Sequence, residues 1–156
     1  MSSVNLANYL PSGAIVTKAV AADWREAVRM AGAPLVAQGA TTTAYTDEMV
    51  KAIEDLGPYV VIAPGFALAH SRPSPAVLKT GISWVSLAEP VAFGSRENDP
   101  VRLVVGLAAK DHDSHIDIMS ALAGILDDDD ALDAAILAET PEQVRDILTK
   151  AAAVAA

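Results

Sequence analysis

The apolar positions along the chain fall into two periods. In "DWREAVRMAGAPLVA", Trp24, Ala27, Val28, Ala31 and Leu35 recur at helical spacing. Asp23 stands before them and Glu26 three residues later, the capping-box pattern, so a helix is predicted over roughly 23–37. "TDEMVKAIEDLG" keeps the helical period until Gly57 and Pro58 stop it. The period then shortens. "YVVIA" is a continuous apolar, β-branched run of the buried-strand kind, "GISWVSL" alternates like a strand with one face less buried, and "VRLVVGLAA" is a central-strand candidate. A short strand is expected in "AIVTKAV", and another at 91–93 inside the turn-rich "AEPVAFGSRENDP".

The helical period then returns. Ser114 and Asp117 resemble a capping box ahead of the amphipathic "HIDIMSALAGIL". The acidic run at 127–130 interrupts that helix and leads into a short one over "ALDAAIL". Thr140, Pro141 and Gln143 supply the last helix with an N-cap, a first-turn proline and a capping partner. The alanine-rich "AAAVAA" is expected to fray. Helices thus bracket a group of strands, the pattern of an α/β (α+β) sandwich, here one domain over residues 1–156.

Composition narrows what such a sandwich can do. Hydrophobic residues make up 52% of the 156, enough for a core without metal or disulfide staples. There is no cysteine, hence no disulfide framework and no thiolate chemistry. No apolar run reaches the ~18 residues of a membrane-spanning helix. "MSSVNLANYLPSG" lacks the basic start and apolar stretch of a signal peptide, so a cytoplasmic protein is expected. The formal net charge of −9 would repel phosphate backbones and anionic membranes, so no nucleic-acid partner is expected. A basic protein partner would be steered toward the chain.

Candidate chemistry gathers at three histidines. His70 stands in "PGFALAHSRPSP", among three prolines that limit the entropy lost in holding an imidazole. It is read as a nucleophile or general base, with Arg72 placed to hold a phosphate or carboxylate. His112 and His115 lie in "KDHDSH" after the last strand candidate. With Ser114 as cap, His115 would open a helix whose free N–H groups, together with the imidazole, suit an anion; His112 is read as an exposed turn residue. Asp111 and Asp113 beside the two histidines suggest a metal only weakly, because no further ligand is evident, and no metal is expected. The 127–130 run lacks EF-hand spacing, and there is neither a Gly-rich phosphate loop nor a Gly-x-Ser-x-Gly elbow.

The strings "GPYVVIAPGFALAHSRP" and "EPVAFGSRENDPVRLVVGLAAKDHDSHIDIMSALAGIL" resemble enzyme IIA of the mannitol/fructose type (type 2) in the bacterial phosphoenolpyruvate-dependent sugar phosphotransferase system, nearest its ascorbate-specific branch. The resemblance covers about 45–148. It implies a three-layer domain with a mixed β-sheet flanked by helices. It implies that His70 accepts a phosphoryl group from the histidine phosphocarrier protein and passes it to a cysteine of enzyme IIB, with the membrane permease involved only indirectly. The second histidine of the motif matches His115, which would stabilise the phosphate, with Arg72 and Ser71 as phosphate-binding residues and no cofactor. Phe66 and Leu68 beside His70 suit a docking surface. Two positions depart from the family pattern: Ala69 replaces the proline before the active histidine, and Ala52 stands where sugar-specific relatives often carry an arginine, for which Lys51 or Arg72 would substitute. Two alternatives remain open, a regulatory relative that signals by binding and a metal-dependent hydrolase using His70, His112 and His115.

Overall fold

A computed structural model describes residues 5–155, with side chains described through residue 152. The "AAAVAA" stretch, expected to fray, is helical through Ala155, while Ala156 and residues 1–4 lie outside the described residues. Among the described residues, β1 (Ile15–Ala19), β2 (Val61–Ala63), β3 (Phe66–Ala69), β4 (Gly81–Val91) and β5 (Val101–Ala108) form one sheet in the order β1-β4-β5-β3-β2. The sheet is mixed: β1 is parallel to β4 and β3 to β5, while β4 with β5 and β2 with β3 are antiparallel. Helices α1 (Trp24–Ala37) and α2 (Thr43–Leu56) cover one face. Helices α3 (His112–Leu126), α4 (Asp129–Leu137) and α5 (Pro141–Ala155) cover the other. The three expected layers are present.

Local chemistry opens α1 and α5 and ends α2 where the pattern indicated. Asp23 accepts the Glu26 amide at 2.9 Å to open α1. Gly57, at φ 84°, ends α2 in a conformation that a side chain would strain. Thr140 and Gln143 exchange bonds of 3.2 and 3.3 Å, a complete capping box for α5. The acidic run serves the same end: Asp128 caps α4 by accepting the Ala131 amide at 3.0 Å.

The strands differ more from expectation. "YVVIA" does not become a buried strand; only 61–63 pair, at the edge of the sheet, with Ile62 exposed. Val60 and Val61 still enter the core on the α1–α2 side, so the run is split between the core and the exposed edge. "PGFALA" is not loop but the second arm of a hairpin: Pro64 and Gly65 make the turn, Gly65 at φ 72°, and β3 follows. Phe66 and Leu68 then face the α3–α5 layer, and Ala67 and Ala69 the α1–α2 layer. "GISWVSL" is buried on both faces. Its serines imitated a solvent face, but Ser83 is fully buried and donates to the Ala31 carbonyl at 2.6 Å. Of the short strand expected at 91–93, Val91 alone is paired, as the last residue of β4 after a register shift between Ser86 and Val91.

Candidate active site

Because β3 and β5 are parallel neighbours, their carboxyl ends open on the same edge of the sheet, the usual place for a ligand crevice in open α/β folds. His70 is the first residue past β3, and β5 leads through a short turn into α3, which carries His115. Both histidines line one cleft of about 510 Å³, together with Ser71, Arg72, Tyr45 and Tyr59. His112 is exposed and lies outside that lining.

The His70 ring is oriented by the backbone. Its Nδ1 lies 2.7 Å from the Leu68 carbonyl oxygen. A carbonyl can only accept, so Nδ1 carries the proton and Nε2 of the neutral ring keeps its lone pair. Tyr59 packs edge-on against the imidazole, with centroids 5.4 Å apart and planes at 76°. The Tyr59 hydroxyl donates to the His70 carbonyl at 2.9 Å. On the other side of that peptide, the Ser71 N–H donates to the Tyr45 hydroxyl at 3.0 Å, and Tyr45 donates onward to the Leu107 carbonyl at 2.8 Å. Burial pushes the Tyr45 phenol up to about 12. It raises Tyr59 too, opposed by the positive charge of Arg72. Both hydroxyls therefore stay protonated as donors at neutral pH.

Charge in the cleft is unevenly committed. Glu48 accepts from Ser74 at 3.1 Å, and Asp55 pairs with Lys51 at 3.1 Å. Arg72 makes no ion pair among the described residues. Lys51 does not line the cleft, whereas Ala52 does, so of the two candidate substitutes for an arginine only Arg72 faces the site.

Three expectations need correction. Ser114 is not a cap: Asp111 opens α3 by accepting the Ser114 amide at 2.7 Å, because the helix starts earlier than the apolar period shows. His115 is therefore the fourth helical residue, with its own N–H bonded to the Asp111 carbonyl at 3.2 Å. What it can offer an anion is its imidazole, not a free amide. Second, Phe66 and Leu68 are 1% and 2% exposed and belong to the core, so they are not a docking surface. Third, His70, His112 and His115 do not converge; no group of three His, Asp or Glu side chains able to hold a metal occurs among the described residues.

The apolar surface at the site comes from residues that the sequence reading passed over. Leu56 and Tyr59 line the cleft, at 68% and 38% exposure, and Ile116 beside His115 is 47% exposed. Leu56 keeps the spacing of the buried face, three residues after Ile53 and seven after Met49, and is exposed because it is the last residue of α2, so the pattern gave no signal for it. Tyr45 was readable only as a core position of α2, because its hydroxyl partners lie far away in sequence.

The sequence pattern of the family "Phosphoenolpyruvate-dependent sugar phosphotransferase system, EIIA 2" matches residues 8–151. The chain belongs to that family. Enzyme IIA components are phosphotransferases that work through a phosphohistidine, and this enzyme IIA is a phosphoryl carrier of that class. It is 34% identical over 139 residues to the ascorbate-specific PTS system EIIA component of Escherichia coli K12, covering 88% of this chain and 90% of that one. The solution structure of the mannitol-specific cryptic phosphotransferase enzyme IIA from E. coli superposes with a TM-score of 0.84 at 32% identity, covering 94% and 99% of the two chains. The complex of E. coli enzyme IIA and phosphorylated enzyme IIB for mannitol matches with a TM-score of 0.79 at 30% identity, covering 90% of this chain and 96% of that one. No helix among the described residues is long and apolar enough to cross a membrane.

Proposed function

We propose that His70 is the phosphoryl acceptor of this enzyme IIA, taking the group from the phosphohistidine of the histidine phosphocarrier protein and passing it to a cysteine of enzyme IIB. The observation that carries this is the Nδ1 contact to Leu68, which leaves Nε2 as the nucleophile in a cleft shared with His115 and Arg72, which has no ion pair among the described residues. In the first step the Nε2 lone pair attacks phosphorus as the donor's P–N bond breaks, and that bond pair stays on the donor imidazole. In the second, a thiolate of enzyme IIB attacks phosphorus and the bond to Nε2 returns its electrons to His70. Such transfers need in-line placement and donors to the equatorial oxygens more than proton chemistry. His115, Arg72 and Ser71 are the donors, and no metal or cofactor enters.

The exposed Leu56 and Ile116 form an apolar rim on which both partners dock, while the net charge of −9 steers a basic one. The whole chain acts as one cytoplasmic unit, and the permease meets it only through enzyme IIB. For the transported compound we propose ascorbate, supported by the 34% identity to the ascorbate-specific component; mannitol is the competitor, at 32%.

The test is incubation with phosphoenolpyruvate, enzyme I and the phosphocarrier protein, read by intact mass. One acid-labile phosphate is expected, absent in His70→Ala and formed about a hundredfold more slowly in His115→Ala. Label that persists in His70→Ala would overturn the assignment. Chasing the labelled protein with ascorbate-type and mannitol-type enzyme IIB separates the two substrates.

A further inference from the structure

The peptide unit joining His70 to Ser71 is held at both of its polar ends by tyrosines from different elements. Its carbonyl accepts from Tyr59, just after α2, and its N–H donates to Tyr45, on α2. We propose that Tyr59, backed by Tyr45, is a positioning residue that fixes the tautomer and direction of the His70 imidazole. This rests on the reading of His70 as the acceptor.

The argument begins with what fails to hold the ring. Ala69 is the last paired residue of β3, and an alanine there does not lock the backbone as a proline ring would. Beyond it the chain leaves the sheet, and no ladder bond orients the next peptide. The Nδ1 contact spans only from residue 70 to residue 68, so its geometry depends on the dihedrals of Ala69 and His70. The following peptide is joined to the ring through the His70 Cα, so while it is free to turn, that Cα and the imidazole it carries can shift. The tyrosine hydroxyls remove that freedom, and the edge-on Tyr59 ring restricts rotation about χ2.

Tyr59 has little else to do. It is 38% exposed and belongs to neither core cluster. Among the described residues, the one hydrogen bond its hydroxyl makes is to His70, and its aromatic contact is with the same residue. Tyr45 is different, 1% exposed and bonded also to Leu107, so removing its hydroxyl would disturb the core as well. Tyr59 is thus the residue on which positioning can be separated from folding.

The experiment compares wild type with Tyr59→Phe, which removes the hydroxyl, and Tyr59→Leu, which removes the ring as well. The His70 ring nitrogens are followed by ¹⁵N NMR on the unphosphorylated protein, and single-turnover transfer from phosphorylated phosphocarrier protein is measured alongside. Wild type is expected to show one neutral tautomer protonated at Nδ1. In the variants the two ring nitrogens move toward averaged shifts, and the transfer rate falls about tenfold with KM and Tm unchanged. Ring signals and rates at wild-type values would overturn the proposal. So would a rise in KM alone, which would make Tyr59 a docking residue, or a lower rate with unchanged ring signals, which would place it in the transfer itself. The ring spectra need no phosphate, so they decide the proposal even if wild type proves unable to accept the group.

Discussion

Ala69 of β3 and Gly106 of β5 are register partners, the last pairing before β3 ends and His70 begins. Gly106 has no room for anything larger. A Cβ there would meet Ser83 Oγ at 2.4 Å and the Ala31 carbonyl oxygen at 3.0 Å, where α1 presses on the sheet. The glycine therefore lets a helix seat directly behind the strand pair that presents the nucleophile.

Gly106→Ala should overpack this contact and cost about 1–3 kcal/mol. Thermal melting would show a lowered Tm, and phosphorylation of His70 should slow because the end of β3 moves with its partner. Adding Ser83→Ala should restore part of the stability, since it removes the closest of the clashing atoms. A Gly106→Ala protein that melts like wild type would mean that the helix and sheet separate at no cost.

Most of the helical framework was legible because caps and apolar period are local signals. Asp23 with Glu26, Gly57, and Thr140 with Gln143 all act where the sequence placed them. The sheet was harder to read, because a strand's burial depends on its neighbours. Ser83 looked like a solvent position until Ala31 arrived as an acceptor, and "YVVIA" looked central until the order of strands put it at the edge. His70 and His115 stood out as rare residues after strand candidates, and the cleft does bring them together. The tyrosine contacts to the His70–Ser71 peptide were not legible. They join residues 11 and 26 positions apart through backbone groups, which leave no trace in side-chain pattern.

The start of α3 can be tested by two substitutions with unequal expectations. Asp111 accepts the Ser114 amide, and that bond holds its carboxyl below the usual range. Asp111→Ala should fray the first turn, lower Tm by a few degrees and slow transfer severalfold by loosening His115. Ser114→Ala leaves the amide in place, removing only the second, side-chain bond to Asp111, and should have the smaller effect in both measurements. The carboxylate's contribution is present above the unfolded-state pKa and fades as pH falls through the lowered folded value. The reverse ranking of the two variants would restore Ser114 as the cap.

Tyr45 gives the fold an alkaline limit. Burial raises its phenol from 10.0 to about 12, so between these values the unfolded chain releases a proton that the folded chain keeps. The stabilisation is complete below pH 10 and is lost as pH rises through about 12; two units correspond to roughly 2–3 kcal/mol. Urea unfolding of wild type and Tyr45→Phe at about pH 8 and about pH 11.5 measures this directly. The advantage of wild type over the variant should shrink at the higher pH. An advantage that does not change with pH would show that the phenol is not held neutral by burial.

Arg72 and Lys51 are adjacent to the same cleft wall but differ in commitment. Lys51 is paired with Asp55, whereas Arg72 lines the cleft and makes no ion pair among the described residues. A charge-assisted bond from a guanidinium to a transferring phosphoryl oxygen contributes about 1.5–3 kcal/mol, or roughly ten- to a hundredfold in rate. Arg72→Ala should therefore slow single-turnover transfer to His70 by about tenfold, the lower end, because the side chain is exposed and screened. Arg72→Lys should recover only part of the loss, since a point charge cannot reproduce the planar fork. Lys51→Ala should leave the rate unchanged. The Arg72→Ala deficit should also narrow as salt is raised, which distinguishes an electrostatic contact from a structural one. If Lys51→Ala proves the slower variant, the cation serving the phosphate lies on α2, and the cleft must close further than this structure shows before transfer occurs.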